Sequence, residues 1–472
     1  MRTLTIVMFY LISALLKMPA AAVPAVDADL SRTRPSGIHP STTHPGYWMF
    51  NGVKVLLLGG SVEDNLFQID GLEEHLDLLK SVGGNYVRNT MSSRDPGNLW
   101  PFAKNRDGLY DLNQWNEDYW QRFERFLRLT SEREIFVQIE IWATFDFYRD
   151  NWEVNPYNPK NNVNYDQRRS KLPLVVDSHP VYTENNFFRS VPSKMNIAPV
   201  LWFQKRFVDR ILSTSLKFGH VLYCMDNETS VTSEWARFWA RYIRRAARLA
   251  GRTVQTTEMW DPHDLGHPMH FETFDYPDIF TFVDISQNNH QSGDDHWRNG
   301  LKQIDYLKAM NLHRPVNNVK IYGNDGGRHK TTRDAVESFC RNILFGAASA
   351  RFHRPTSGQG LNGIAQSVIR SVRLLSESMD FFNGRPMNDL LGGREANEAF
   401  CRAVPGGEAV VYFTEGGEVT LDTSSMARPL RLRWMAVLES EWSDPQVLAA
   451  QGQLKLKCPG PGHWFALVDD SD

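Results

Sequence analysis

The chain has 472 residues, 42% of them hydrophobic and 23% charged, with a formal net charge of −3. This suits a soluble protein with one large core and a smaller second one, and it excludes a disordered chain. No basic surplus exists to release counterions from a phosphate backbone, so nucleic acid is not expected as a partner.

Arg2 gives the N-terminus a positive end, Thr5 to Leu16 an apolar stretch, and Ala20 to Ala25 a region of small residues, which is the pattern of a secretory signal. Residues 1–25 are expected to be removed, and loss of Arg2 and Lys17 takes the charge from −3 to −5. The mature chain is therefore expected to be secreted or periplasmic. The stretch is too short to cross a bilayer, and no other run approaches about 20 apolar residues, so no integral membrane span is expected.

Tyr47 to Val55 carries apolar residues on both sides of Asn51-Gly52, the strongest short hairpin signal. Strand-like and helix-like segments alternate after it. The strands are expected at Val55–Gly59, Asn85–Asn89, Ile135–Trp142, His220–Asp226, Thr253–Thr257, Ile279–Asp284, Val319–Gly323 and Ala348–Phe352. Asp70-Gly71-Leu72-Glu73 resembles a capping box before a helix with Leu72, Leu76 and Leu79 on one face. Trp120, Phe123, Phe126 and Leu127, and then Trp202, Phe203, Phe207 and Ile211, mark two further amphipathic helices. Eight such units predict a (β/α)8 TIM barrel with insertions. A doubly wound sheet is the alternative, but Gly59-Gly60-Ser61 lacks the spacing of a phosphate-binding turn.

Candidate site residues fall where the strands end. Arg88 and Asn89 close the second strand, and Glu140 and Trp142 lie in the third. The stretch from Ala143 to Ile197, rich in Asn, Pro and aromatic residues, then forms a long insertion on the face where a barrel does its chemistry. The fourth strand stops at Asn227-Glu228, with a helix from about Thr232. Glu258 and Trp260 follow the fifth strand, Asp284 and His290 the sixth, Asp325 the seventh and His353 the eighth. Trp152 and Trp297 also lie beyond strand ends. Trp142 and Trp260 are candidates to stack on a sugar ring, because flat aromatic faces match pyranose C–H faces. The run His263 to His270 is not a His-Glu-x-x-His motif and contains Gly and Pro, so no metal or other cofactor is expected. Cys224 and Cys340 lie in core-like segments. Cys401 and Cys458 could bridge, but free thiols are preferred for all four cysteines.

Past Asn383-Gly384-Arg385-Pro386 the helical pattern stops. From Glu398 on, short alternating strands with Gly-Gly turns predict an antiparallel β-sandwich. The expected organisation is a signal over 1–25, a catalytic barrel over 26–385 and a sandwich over 386–472, the sandwich having no part in catalysis. The chain is expected to be a monomer.

A glycosidic bond is cleaved between two carboxyl groups, one protonating the leaving oxygen and one acting as nucleophile or as base on water. Glu228 is the first candidate and Asp325 the second, with Glu140, Glu258 and Asp284 as competitors. An Asn beside the acid can hold a substrate hydroxyl, and an Arg can keep a carboxylate ionised. Asn227, Arg88, Asn89, His290, Trp142 and Trp260 are the candidate substrate-binding residues. The expected partner is a carbohydrate substrate.

With Asn227-Glu228 after the fourth strand, an acid after the seventh and Arg88 after the second, the chain resembles the retaining clan-A glycoside hydrolases over roughly Tyr47 to Met379. The hairpin Phe50-Asn51-Gly52 running into Leu56-Leu57-Leu58-Gly59-Gly60, with a terminal sandwich, is similar to the apiosidase-like barrels, whose last domain is sometimes labelled collagen-binding-like. The resemblance implies a secreted glycosidase in which Asn227 holds the hydroxyl beside the cleaved bond, Glu228 is acid/base and Arg88 supports the nucleophile. It also exposes a departure, since clan members carry Glu after the seventh strand where this chain offers Asp325. A carbohydrate-binding pseudoenzyme is the competing expectation, and a polysaccharide lyase a third.

Overall fold

The computed structural model describes residues 37–178, 185–326, 330–426, 429–448 and 452–470. The expected signal lies outside the described residues. Asn51 and Gly52 both adopt left-handed backbone, with φ of 50° and 80°, as a two-residue hairpin turn that matches strand twist requires. They fold Trp48–Phe50 back on Val53–Val55. The buried Trp48 donates its indole N–H to Asn317 Oδ1 at 3.0 Å and packs on Phe282, while Phe50 packs on Phe136. The hairpin thus plugs the end of the barrel at which the strands begin.

Eight parallel strands each lead into a helix. They are β1 (Leu57–Gly60), β2 (Tyr86–Thr90), β3 (Phe136–Trp142), β4 (Val221–Asp226), β5 (Gln255–Thr257), β6 (Val283–Asp284), β7 (Val316–Asn317) and β8 (Ser349–Phe352). The helices, in the same order, are α1 (Leu72–Ser81), α2 (Glu117–Glu132), α3 (Ala198–Ser215), α4 (Ser233–Leu249), α5 (Pro268–Phe274), α6 (Gly293–Ala309), α7 (Thr332–Phe345) and α8 (Gly363–Ser378). Strands β5-β4-β3-β2-β1-β8 pair in that order, and β6 pairs with β7. The ring closes through Thr281 N to Thr256 O at 2.9 Å on one side and Ile321 N to Arg351 O at 3.0 Å on the other. The sheet is therefore a closed TIM barrel and not an open doubly wound one.

Three local expectations change. The seventh strand pairs regularly at Val316–Asn317, and the stretch from Val319 continues it irregularly, meeting β8 through the Ile321–Phe352 bridge. Helix α1 begins at Leu72 behind a left-handed Gly71 with no side-chain cap, so Asp70-Gly71-Leu72-Glu73 is not a capping box. Trp202 is 60% exposed, although the neighbouring Phe203, Phe207 and Ile211 are buried.

The C-terminal strands β9 (Ala399–Ala403), β10 (Ala409–Phe413), β11 (Glu418–Asp422), β12 (Leu430–Ala436), β13 (Gln453–Lys457) and β14 (Trp464–Asp470) are antiparallel. β9, β10, β14 and β12 run side by side in the larger sheet, and β11 and β13 form part of a three-stranded second one. Strict alternation divides the larger sheet. Phe400, Val410, Tyr412, Met435, Phe465 and Leu467 join the barrel core, whereas Cys401, Val411, Phe413, Leu432 and Val468 face the smaller sheet. All four cysteines are free.

Candidate active site

The chain leaves β4 through a turn whose backbone is fixed from several sides. Asn227 N donates to Trp142 O at 3.1 Å, Thr144 Oγ1 to Asn227 O at 2.6 Å, and Thr229 N to Met259 O at 2.9 Å. Between these anchors Glu228 sits in the left-handed region at φ 46°. For a residue with a side chain this costs about 1 kcal/mol or more, and such strain collects at functional positions.

The Glu228 carboxylate points into the barrel mouth, its side chain 12% exposed. Lys320 Nζ lies 2.8 Å from its Oε1, and the Tyr322 hydroxyl donates to the same oxygen at 3.1 Å. Lys320 also donates to Asn227 Oδ1 at 2.6 Å, so one buried ammonium clamps both members of the Asn-Glu pair. Burial alone would raise the Glu228 carboxyl. Lys320, with Arg88 behind it, overrides burial and brings it down to about 2. Glu228 therefore rests as an anion. Burial lowers Lys320, while Glu228 and Glu140 hold it up. The Tyr322 phenol is pushed well above its ordinary value by burial and by Glu228.

Arg88 is fully buried behind this pair. It grips Glu140 with two bonds, Nε to Oε1 at 2.6 Å and Nη2 to Oε2 at 2.7 Å, and donates from Nη1 to Asp64 Oδ1 at 2.6 Å. A fork holding a planar carboxylate in this way is a task for which Lys is a poor substitute. Asp64 also meets His353 Nε2 at 3.3 Å and Arg354 Nε at 3.5 Å. Burial opposes its charge, but Arg88, with Arg354 beside it, holds it well below the usual carboxylate range. Burial brings the His353 imidazole down to about 4, so it is neutral.

A second pair of acids lies at the root of the Glu228 turn. Glu258 Oε1 accepts Asp226 N and Met259 N, both at 2.9 Å, and Asp226 Oδ2 accepts the Trp235 indole at 2.9 Å. Their other oxygens, Glu258 Oε2 and Asp226 Oδ1, are buried and receive no hydrogen bond from any fixed protein donor, which leaves a proton held between the two carboxyls as their partner. Burial and mutual repulsion raise Asp226, and burial raises Glu258. Two carboxylates cannot both be charged in such a place, so the pair holds a proton. Asp284, bonded to Ser286 N and Oγ, is likewise pushed up by burial to about 7.

Several expected site residues stand elsewhere. Asp325 is exposed, and its carboxylate accepts Thr332 N at 2.8 Å and Thr332 Oγ1 at 2.5 Å at the start of α7. It stands outside the cluster because the inward positions of the seventh strand are Lys320 and Tyr322, and Asp325 lies three residues further on. Asn89 is buried as a structural amide, accepting Phe67 N at 3.1 Å and donating to Thr90 O at 3.2 Å. Trp142 is 1% exposed among Phe187, Phe207, Trp235 and Trp239. Trp260 is 2% exposed and donates to Thr273 Oγ1 at 2.8 Å. Neither indole offers a face to a sugar, since both point outward from the sheet into the helix layer. Trp152 and Trp297 are buried as well.

His290 does reach the mouth. Its ring stacks on His263 with centroids 3.5 Å apart and meets Tyr322 edge-on at 5.9 Å. Burial and His263 bring it down to about 4. Among the described residues no group of three or more His, Cys, Asp and Glu side chains is arranged to hold a metal, and no helix is long and apolar enough to cross a membrane. Sequence reasoning missed Lys320, Tyr322 and Asp64. The alternation in Val319-Lys320-Ile321-Tyr322, apolar outward and polar inward, is the signal that could have found the first two.

No protein-family model matches the chain, and no curated protein matches it in sequence. Solved structures do resemble it. A glycoside hydrolase superposes at 12% identity over 92% of this chain and 97% of its own, with a TM-score of 0.65. A glycoside hydrolase of family 5 from Bacteroides vulgatus does so at 11% identity over 92% and 93%, with a TM-score of 0.64. A family 5 mannosidase from Rhizomucor miehei covers 73% of this chain and 99% of its own at 12% identity, with a TM-score of 0.50. At these identities the likeness is one of fold, a glycosidase-type barrel continued by a C-terminal β domain.

Proposed function

We propose that the chain hydrolyses glycosidic bonds of a poly- or oligosaccharide at the barrel mouth, with Glu228 as its central carboxyl group. The observation that carries this reading is the strained, anchored turn that presents one carboxylate over a ring of buried cations. As a resting anion, Glu228 can attack the anomeric carbon or take a proton from water. The proton for the leaving oxygen then comes from a second acid. Asp261, on the loop after β5, is the best candidate, because it is partly exposed and its backbone N–H donates at 2.8 Å to the carbonyl of Thr229, the residue after Glu228. This assignment replaces Asp325 and changes Glu228 from the acid of the pair to its base or nucleophile.

Export from the cytoplasm, a retaining course and kinship with apiosidase-like barrels belong to the same proposal. The test is a panel of plant, algal and microbial polysaccharides and of aryl glycosides, digested by wild type, Glu228→Gln and Asp261→Asn. Glu228→Gln should lose turnover by orders of magnitude. Asp261→Asn should spare aryl glycosides, whose leaving groups need no proton, and slow the natural linkages. Undiminished hydrolysis by Glu228→Gln would remove Glu228 from the chemistry.

The second reading is a carbohydrate-binding barrel without turnover. It is favoured by the Lys320 clamp and by Lys and Tyr at the inward positions of the seventh strand. Wild type that binds a glycan of the panel and cleaves none would establish it.

A further inference from the structure

At the other end of the barrel, where the strands begin, the last two turns of α4 carry Arg241, Arg244, Arg245 and Arg248 on one face. They line a cleft of about 500 Å³ whose far wall is the segment leading toward β6. Spacings of three and four residues place like charges side by side, which destabilises a helix. Elsewhere on the barrel flank such charges are answered across the helix gap, as in Arg125 with Glu73 at 2.5 Å, Arg133 with Asp77 at 2.6 Å and Arg210 with Glu117 at 2.9 Å. Arg237, earlier on α4, is answered by Glu272 at 2.7 Å.

The four arginines of the cleft have no such answer, since none of their guanidinium groups forms an ion pair or hydrogen bond with a described residue, and Asp278 is near enough only to attract Arg244. Arg244 is half-buried, and its Nη1 is enclosed by protein without an acceptor. Of the facing acids, Asp275 already accepts the Tyr306 hydroxyl at 2.6 Å, which leaves Asp278. The helix dipole favours cations in the last turn, but this does not explain Arg241 or the enclosed nitrogen of Arg244. Tyr276, 41% exposed, forms part of the same wall.

We propose that this cleft is a second binding site, which takes an acidic polysaccharide strand with its sulfate or carboxylate groups seated between the arginines. The choice of a glycan rests on the reading of the barrel as carbohydrate-active. The chain's net charge of −3 and the confinement of the patch to about 10 Å of one helix disfavour a nucleic-acid backbone. Guanidinium groups suit planar or tetrahedral oxyanions, and the aromatic wall suits a sugar ring.

The test uses the full chain and measures binding of fluorescently labelled dextran sulfate, polygalacturonate, unsulfated dextran and single-stranded DNA across a salt series. Wild type should bind at least one of the two acidic polysaccharides with an affinity that falls with salt, and should ignore unsulfated dextran. Arg244→Ser with Arg248→Ser should weaken binding at least tenfold and reduce the salt slope by about 2. The same variant should melt no lower than wild type without ligand, because like-charge repulsion is removed. Glu228→Gln should bind as wild type does, so a failed assignment of the active site leaves this result standing. The proposal is overturned if neither acidic polysaccharide binds at low salt, if the double variant binds unchanged, or if DNA binds as tightly through the same arginines.

Discussion

Lys320 sets the charge state of the mouth, and its removal gives the sharpest residue-scale prediction. Glu228 titrates near 2 in the fold and near its ordinary value when unfolded. It thus contributes about 3 kcal/mol that is present above the ordinary carboxylate range and lost as pH falls toward about 2. In Lys320→Met the nearest cation is gone and burial is opposed by the Tyr322 hydroxyl and the more distant Arg88 alone, so the Glu228 value should rise. The variant should melt below wild type by a margin that widens from about pH 3 to pH 7, and any acidic limb of its pH-rate profile should move upward. A margin independent of pH would show that Lys320 does not hold the Glu228 charge. The Asp226–Glu258 pair has the opposite sign. Its raised values mean that the fold keeps a proton the unfolded chain gives up, so stability is lost as pH rises above the ordinary carboxylate range. Glu258→Gln carries that hydrogen permanently and still accepts both backbone N–H groups. Its melting temperature relative to wild type should climb with pH, and a flat difference between about pH 5 and pH 8 would mean that no proton is shared.

At the level of elements, the long insertion after β3 shows that its Asn content is structural. Asn158 Nδ2 donates to Trp152 O and Leu174 O, both at 3.0 Å, and Asn155 Nδ2 donates to Asp146 O at 2.8 Å. A folded loop without regular strands must satisfy its buried carbonyls somehow, and short amides do so locally. Asn158→Ala should therefore cost about 2 to 4 kcal/mol, read as a lower melting temperature. A change in glycan affinity without loss of stability would instead make Asn158 a ligand. The first, third and fourth strands are legible because parallel strands buried on both faces read as apolar runs, the seventh is displaced because its regular pairing covers only Val316–Asn317, and Asn51-Gly52 is legible because few residues tolerate its backbone. The position of Glu228 followed from the end of β4. Trp142 and Trp260 misled because an aromatic at a strand end can point into the helix layer as readily as into the mouth, and sequence does not give the local twist. Asp325 is the nearest acid past the end of the seventh strand, but alternation within that strand places Lys320 and Tyr322 inward and leaves Asp325 on the exposed turn before α7.

On the scale of the molecule, the C-terminal sheet is part of the barrel's own packing. Arg402, fully buried on β9, donates to Tyr47 Oη at 2.6 Å, to Leu344 O at 3.1 Å and to Phe381 O at 3.0 Å. Arg402→Met should lower the melting temperature strongly, since these acceptors are left buried without a donor. Truncation at Gly392 should yield an aggregating barrel, because it bares the apolar surface that Phe400, Val410, Tyr412 and Phe465 cover. A soluble, cooperatively melting truncated barrel would contradict this.

The bond between Arg402 and Tyr47 also spans 355 positions of sequence, and it joins the hairpin that plugs the barrel to a strand near the chain's end. Contacts so distant along the chain are closed late, after their loop entropy has been overcome. A nascent chain can form its early βα units as they emerge, yet the bond from Arg402 to the plug cannot form until β9 has left the ribosome. Maturation should therefore end in a step that fastens both ends of the chain together, the hairpin until then being held by its contacts to Phe136, Phe282 and Asn317 alone.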